Sequence, residues 1–261
     1  MALKSQFFSI CALIAILVCT STTLVAQGNN TPTDTDTPYD DTRLFYRTQL
    51  YGGAYMHTRG WGVNFRKSWR KTGFVNRVFS IEFNNMRHPK EQKSFNPYYD
   101  DTKGFVFGKM NSLSILRPSY GLQKVLYSKE AKRGVQVSYF TMIGPSLGLV
   151  KPVYLEIAHP SVPNYNRITT ERYDSEVHDF DVIFGRAAAT KGIEETQIYP
   201  GIHGKFALNF EYAPTDDMHR ALEVGVNFDS FGREVPIMAF AENSQFFLTF
   251  YLNLQFGKKF F

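Results

Sequence analysis

Residues 246–257 read FFLTFYLNLQFG, and every second residue of this stretch is large and apolar. The residues between them are mostly polar or small, apart from Phe247 and Tyr251. An apolar pattern with a period of two indicates a β-strand with one apolar face, because successive side chains of a strand point to opposite sides. Alternation dominates the chain after residue 42, and it is equally clear at 79–84, 206–212 and 222–229. The predicted fold class is therefore all-β.

The length and composition of these segments favour a membrane barrel over a soluble sandwich. They run for about 10 to 14 residues, whereas strands of soluble sheets usually have 5 or 6, and about 9 to 11 tilted residues cross a bilayer. Their apolar faces are rich in Phe and Tyr, and Trp61 and Trp69 lie at the two ends of one segment, as in an aromatic girdle. We predict a transmembrane antiparallel up-and-down β-barrel with long extracellular loops; a secreted β-sandwich is the alternative.

The first 26 residues have the features of a secretory signal peptide. Lys4 precedes an apolar run, and Ala26 provides a small residue before the cleavage site. Cys19 could instead carry a lipid, but the residue before it is not small. Both cysteines lie in the signal, so the mature chain has no thiol for catalysis or metal binding. Residues 27–42 are almost free of apolar side chains and are predicted to form a flexible periplasmic leader.

Export and a barrel fold together predict a location in the outer membrane of a Gram-negative bacterium. The surrounding molecules would then be outer-membrane lipid, lipopolysaccharide and other outer-membrane proteins. Without Lys4 the chain keeps 28 basic and 24 acidic residues, which are spread along the sequence. Nucleic acid is therefore not an expected partner.

About ten strands, within limits of 8 and 12, are predicted for the barrel domain at 43–261, because a single-chain barrel with both ends in the periplasm needs an even number. The stretches 105–127 and 135–157 are about twice as long as a bilayer crossing and contain a proline, so each is divided into two strands. Pro118 and Pro145 begin similar strings, PSYGLQK and PSLGLVK, which predicts one hairpin used twice; a chance match is the alternative. The predicted strands are 43–57, 60–70, 75–87, 104–116, 119–127, 135–144, 146–157, 201–213, 221–229 and 245–257.

Polar side chains on the second face of the strands are predicted to fill the barrel. A barrel of eight to ten strands has an interior just wide enough for side chains. Opposite charges in so narrow a tube would neutralise each other and plug it; a selective path for a small solute is the alternative. The charged residues predicted to face the lumen are Arg66, Glu82, Lys205, Glu211, Glu223 and Asp229.

The connection 158–200 is too long to be a passive turn. Within it, 175–186 begins with a capping serine, followed by an acid and by apolar residues at helical spacing, which predicts a short helix. Its apolar face would either cover the barrel mouth as a lid or bind another protein. The residues of this face are Val177, Phe180, Ile183 and Phe184.

No local spacing of residues in the chain indicates a set of catalytic residues or a cofactor site. A Ser–His–acid set needs side chains that converge in space, which a single sequence does not reveal. His178 with Asp179, Asp181 and Glu171 could form a base with its orienting acid or a weak metal site, but acidic loop residues are usually solvated. We therefore assign no catalytic, cofactor-binding or metal-binding residue and expect no enzymatic activity.

Four motifs resemble those of a group of uncharacterised outer-membrane barrels from the Bacteroidetes. The resemblance spans most of the mature chain and implies the barrel fold, but no activity comes with it. The motifs are RHPKE at 87–91, KPVYLEI at 151–157, TTERY at 169–173 and VPIMA at 235–239.

Three functions are consistent with a plugged barrel that carries large outer loops. The favoured one is a non-enzymatic accessory subunit that docks against larger outer-membrane machinery for assembly, secretion or uptake, because the plugged lumen leaves the loops and the outer wall as working surfaces. The alternatives are a narrow channel for a small solute and a surface enzyme that hydrolyses or modifies lipids.

Overall fold

A computed structural model describes residues 48–99, 102–128, 134–160, 166–212 and 218–260. The predicted signal peptide and leader lie outside the described residues. No helix in the described part of the chain is long and apolar enough to cross a membrane.

Eight antiparallel strands form a closed barrel in the order β1-β13-β12-β11-β7-β6-β3-β2. The remaining five strands form two small sheets, β10-β8-β9 and β4-β5. The bounds are β1 Thr48–His57, β2 Gly60–Arg70, β3 Val75–Met86, β4 Lys93–Ser94, β5 Phe105–Val106, β6 Asn111–Tyr127, β7 Gln136–Pro152, β8 Tyr154–Pro160, β9 Asn166–Arg172, β10 Ile183–Arg186, β11 Gln197–Glu211, β12 Met218–Val235 and β13 Ser244–Phe260.

The strand register shows how strongly the barrel is staggered. A path that follows paired residues around the barrel from Arg70 of β2 crosses each of the remaining barrel strands once. It returns to β2 at Gly60, ten positions away from Arg70. Such a stagger tilts the strands by roughly 35–45° from the barrel axis. An eight-stranded barrel is just wide enough for its inward side chains to fill the interior.

The structure has eight barrel strands, so the division of two long stretches at their prolines is wrong. Pro118 and Pro145 lie in the middle of β6 and β7, each 17 residues long. The register of these two neighbouring strands places the prolines opposite each other, in a part of their ladder where pairing lapses. The two missing N–H donors therefore fall into a single gap, and each strand stays paired with its other neighbour through Ile81 and Ile202.

The similar strings that begin at the two prolines are therefore facing parts of adjacent strands, and the repeated hairpin predicted from them does not exist. The glycines of this region permit the close approach of the strands. A Cβ on Gly144 would lie 2.1 Å from the carbonyl oxygen of Pro118, and one on Gly121 would lie 2.1 Å from that of Thr141.

The barrel is apolar outside and polar inside. On β13, Thr249, Asn253 and Gln255 point inward and are buried, whereas the alternate residues are exposed. A wall of exposed Phe and Leu around a buried polar interior suits hydrocarbon surroundings, so the barrel is a transmembrane one of the outer-membrane type and not a soluble sandwich. The exposed wall residues of β13 are Phe246, Leu248, Phe250, Leu252, Leu254 and Phe256.

The two ends of the barrel differ in their connections. β2 is followed by β3, β6 by β7 and β11 by β12 at the end where Thr48 pairs with Phe260, with four to eight residues between the strands. The long connections 87–110 and 153–196 both leave from the opposite end. Short turns belong to the periplasmic side of outer-membrane barrels and long loops to the extracellular side, which sets the orientation.

The long connections form a folded extracellular cap made of β4, β5, β8, β9 and β10. The predicted helix at 175–186 is wrong: the segment contains one 3₁₀ turn, Phe180–Val182, and then continues as β10. Ile183 pairs with Ile157 of β8. The apolar residues of this segment therefore pack in a sheet whose other strands lie elsewhere in the sequence.

Candidate functional site

The centre of the lumen is filled by a network of buried charges. Arg66 of β2 bridges two carboxylates: its guanidinium donates to Glu82 at 3.0 Å and makes a bidentate contact with Glu223, one bond of which is 3.0 Å long. Lys205 of β11 lies 2.7 Å from Glu82 Oε1 and 3.3 Å from Glu223 Oε1. Two positive and two negative groups thus neutralise each other, and Tyr251 donates a further hydrogen bond of 2.5 Å to Glu223.

Two further groups of polar side chains flank this network. On the extracellular side, Arg117 forms a bidentate ion pair with Asp229, to which Ser146 also donates at 2.9 Å. On the periplasmic side, Glu211 pairs with Lys259 and lies 3.2 Å from Nδ1 of His219. The structure therefore places all six predicted lumen residues inside the barrel, each with an oppositely charged partner.

An apolar stopper closes the extracellular end of the lumen. Ile237 and Met238, from the connection between β12 and β13, are buried against inward side chains of the strand ends. Asn243 holds this connection in place, because its side-chain oxygen accepts from the backbone N–H groups of Ile237 and Met238 at 2.8 and 3.2 Å. The strand residues of the stopper are Met86, Leu113, Ile115, Val150, Tyr199, Phe231, Val235 and Phe247.

Sequence reasoning missed the stopper, although the VPIMA motif at 235–239 contains its two central residues. The sequence signal for the stopper was the apolar tetrapeptide at 236–239, which lies in a short extracellular connection. Because the mouth of the barrel is closed by Ile237 and Met238, no lid from the long connection is needed there.

We expect the protein to be electrically silent in a planar lipid bilayer. A solute would have to displace the stopper and then pass a neutralised side-chain network in which Arg66 and Glu82 are fully buried. Single-channel recording of purified protein checks this prediction, with a large open porin of 16 or so strands as a positive control. Discrete conductance steps from the folded barrel would contradict it.

The extracellular cap has its own apolar core. Phe105 of β5 packs with Leu155 and Ile157 of β8, with Tyr173 and with Ile183 of β10. Around this core, the ring of Phe107 contacts three other aromatic rings, with centroid distances of 5.7 to 6.4 Å. These three rings belong to Tyr173, Phe180 and Phe240.

The four residues predicted to form a lid or docking face have different places in the cap. Ile183 is fully buried in the core, and Phe180 packs against that core with its ring 5.4 Å from that of Phe105. Phe184 makes an edge contact with Tyr99. Val177 is 70% exposed. The structure thus brings together Phe180 and Ile183, and leaves Val177 on the surface.

One asparagine connects the first long connection to the second. The side-chain nitrogen of Asn96 lies within hydrogen-bonding distance of three backbone carbonyl oxygens in the 3₁₀ turn and β10, the shortest being 2.8 Å to Ile183. Its side-chain oxygen accepts from the backbone N–H of Tyr98 at 3.0 Å. A buried amide with these partners holds residues 95–98 against 180–183, and no sequence pattern indicates it.

A cluster of two histidines around one carboxylate lies on β8, on β9 and in the turn that follows β9. Nε2 of His159 lies 2.8 Å from Glu171, and Nε2 of His178 lies 3.2 Å from the second carboxylate oxygen. Nδ1 of His178 accepts from the backbone N–H of Asp174, so Nε2 is the nitrogen that donates to Glu171. Among the hydrogen bonds of the described residues, none joins His178 to Asp179 or Asp181, the partners considered from sequence.

This cluster does not have the geometry of a catalytic triad or a metal site. In a triad the acid orients one ring nitrogen while the other contacts the nucleophile. Here the Thr169 hydroxyl and the Glu171 carboxylate both contact Nε2 of His159. Within the described ranges, no group of three or more His, Asp or Glu side chains is arranged to hold a metal ion.

Acidification is expected to loosen the β8–β9 hairpin. The Thr169 hydroxyl, followed by the histidines, lowers the pKa of Glu171 from 4.5 to about 2. Because the folded pKa lies below the unfolded one, the stabilisation is complete above about pH 4.5 and is lost as the pH falls towards about 2. Hydrogen exchange of the hairpin at a series of pH values measures this, and Glu171→Gln should remove the dependence within that window. An unchanged profile in the variant would contradict the prediction.

No protein-family model and no curated protein matches the chain. Among solved structures, the chain is similar to Neisserial surface protein A (NspA), with 7% sequence identity, a TM-score of 0.43, and coverage of 82% of this chain and 97% of that chain. It is also similar to Ail, the attachment invasion locus protein of Yersinia pestis, with 8% identity and a TM-score of 0.40, covering 82% of this chain and 99% of that chain. Similarities this distant carry no information about function.

Proposed function

We propose that the protein is a non-enzymatic accessory subunit of a larger outer-membrane complex, with the barrel as its anchor and the extracellular cap as its docking surface. The observation that carries this proposal is the cap itself, a folded unit with a buried core that still exposes large apolar side chains. The complex would belong to assembly, secretion or uptake machinery.

The cap is built to hold its surface in one conformation. Its sheet, its aromatic core around Phe107 and the Asn96 side chain all restrict the segments that reach the surface. A rigid surface loses little conformational entropy on binding, which favours recognition of a protein partner.

Exposed apolar residues lie on the segments that Asn96 holds together. Tyr98 is 71% exposed and Val177 is 70% exposed, and Phe95 is also exposed. Phe95 and Tyr98 flank Asn96, whereas Val177 precedes the 3₁₀ turn to which Asn96 is bonded. Exposed apolar groups that cluster outside the membrane mark interaction sites in folded proteins.

The sealed lumen supports the docking function over transport. The charged network around Arg66 and the stopper at Ile237 occupy successive levels of the barrel.

Copurification tests the proposal. The protein with a tag on its C-terminal strand is extracted from native outer membrane in mild detergent, and stoichiometric partners are identified. We expect defined outer-membrane partners that are lost with Val177→Asp and Tyr98→Asp, which place charges on the proposed docking surface. Ile193→Asp is the matched control, because Ile193 is also exposed on the extracellular side but lies in a separate turn. A lone monomer, or partners retained equally by all variants, would overturn the proposal.

A further inference from the structure

The outer wall of the barrel carries an arc of basic residues at its periplasmic rim. All five are exposed and occupy outward positions of the alternating strands. They come from five different strands: Lys67 of β2, Arg77 of β3, Lys124 of β6, Arg220 of β12 and Lys258 of β13.

The register brings these residues to one level. Leu50 of β1 pairs with Lys67 on one side and with Lys258 on the other. Arg220 pairs with Phe256, two positions from Lys258, and is thus its diagonal neighbour. Diagonal neighbours of this kind lie about 7–8 Å apart.

The other half of the arc follows the same arrangement. Lys67 pairs with Phe79, two positions from Arg77. Arg77 pairs with Leu122, two positions from Lys124. The five charges therefore form an arc from β12 through β13, β1, β2 and β3 to β6, with Leu50 of β1 between Lys258 and Lys67. At the same rim, Tyr139 of β7 and Tyr212, directly after β11, are outward.

The charges of the arc are not neutralised by the protein surface that the structure describes. None of the five forms a salt bridge with another described residue. Every outward position of the described barrel strands at this rim lacks an acid, because Glu211 points into the lumen and pairs with Lys259. Five cations along one rim that have no counter-charge among the described residues favour an anionic ligand.

The surroundings of the arc indicate that this ligand is lipid. Lys67 lies with its ammonium 5.4 Å from the ring centroid of Trp69, which is an outward interfacial aromatic residue. Directly above the arc the wall is apolar, with exposed Phe65, Phe79 and Leu222. Long basic side chains at the edge of an apolar band extend their charges to the level of the headgroups.

We infer that this basic arc, Lys67, Arg77, Lys124, Arg220 and Lys258, binds the headgroups of anionic phospholipids in the periplasmic leaflet. Anionic lipids would be enriched next to the strands of the arc, from β12 through β1 to β6. The wall at β7 and β11 would show no preference for anionic lipids. The inference is independent of the proposed docking function, since it concerns the opposite end of the barrel.

Lipid selectivity in nanodiscs tests the inference. The folded protein is reconstituted in phosphatidylethanolamine with a minor fraction of phosphatidylglycerol, and the lipids retained on gentle release are quantified by native mass spectrometry. We expect phosphatidylglycerol to be enriched several-fold, since each basic contact with an anionic leaflet favours binding about fivefold. The enrichment should fall as salt is raised.

Two variants complete the experiment. Substitution of all five arc residues by glutamine should abolish the enrichment and leave the barrel folded, because none of the five is buried. The matched control replaces five extracellular basic residues by glutamine and should retain it. Equal enrichment in the arc variant, or equal loss in the control, would overturn the inference. The control residues are Lys90, Lys93, Lys103, Arg186 and Lys191.

Discussion

Replacement of Arg66 by alanine is expected to destabilise the barrel by about 3–5 kcal/mol, the usual cost of removing one partner of a buried ion pair. Arg66 is fully buried and bridges Glu82 and Glu223 across the lumen. Without it, two carboxylates share the single charge of Lys205, in a space where water cannot fully solvate them.

Urea unfolding in detergent micelles measures this effect, with the fluorescence of Trp61 and Trp69 as the signal. These are the two tryptophans of the chain, and both are exposed on the barrel wall. The matched control is the double variant Arg66→Met with Glu223→Gln, which leaves Glu82 paired with Lys205 and should recover most of the lost stability. A loss below about 1 kcal/mol in Arg66→Ala would mean that the network is solvated like a surface ion pair.

The second large effect is expected from Ile183→Asp, which should unfold the extracellular cap and leave the barrel intact. Ile183 is fully buried in the cap core and pairs with β8. A carboxylate without a partner in that core costs several kcal/mol, more than a small sheet can compensate. The barrel has its own hydrogen-bonded ladders and is not expected to respond.

Limited proteolysis of the folded protein separates the two parts. We expect rapid cleavage within the connection 153–196 in Ile183→Asp, together with the resistance to denaturation by detergent that a closed barrel keeps. Val177→Asp is the control, since it introduces the same charge at an exposed position of the cap and should leave the cleavage pattern unchanged. Protection of the cap in Ile183→Asp would show that its core does not depend on this residue.

The contrast between the buried Ile183 and the exposed Val177 shows what a local sequence pattern can and cannot establish. Val177, Phe180, Ile183 and Phe184 have a spacing that fits a helix. The same spacing is compatible with a turn followed by a strand, and the choice depends on the edge of β8 and on Asn96, both distant in sequence. Local periodicity does not contain that information.

The prolines illustrate a second limit. A proline in a strand is unfavourable only where its missing N–H would have bonded to a neighbour. Whether that is so at Pro118 and Pro145 depends on the register of β6 against β7, which places the two opposite each other. The barrel therefore has eight strands and not about ten, because of the register between two strands and not because of any local pattern. Since two divisions were removed together, the predicted strands outside β6 and β7 kept their direction across the membrane, whereas the predicted strands 119–127 and 135–144 run in the opposite direction as parts of β6 and β7.

The amino-acid sequence by itself determined the β-barrel class and the identity of its apolar and polar faces. It did so because the alternation of a strand is a property of consecutive residues, and one polar face must then point away from lipid. Only the tertiary structure decided the number of strands, the partners of each lumen charge, the stopper at Ile237 and the fold of the cap. Each of these depends on which distant segments become neighbours, and in a barrel that is set by register and closure around the whole sheet.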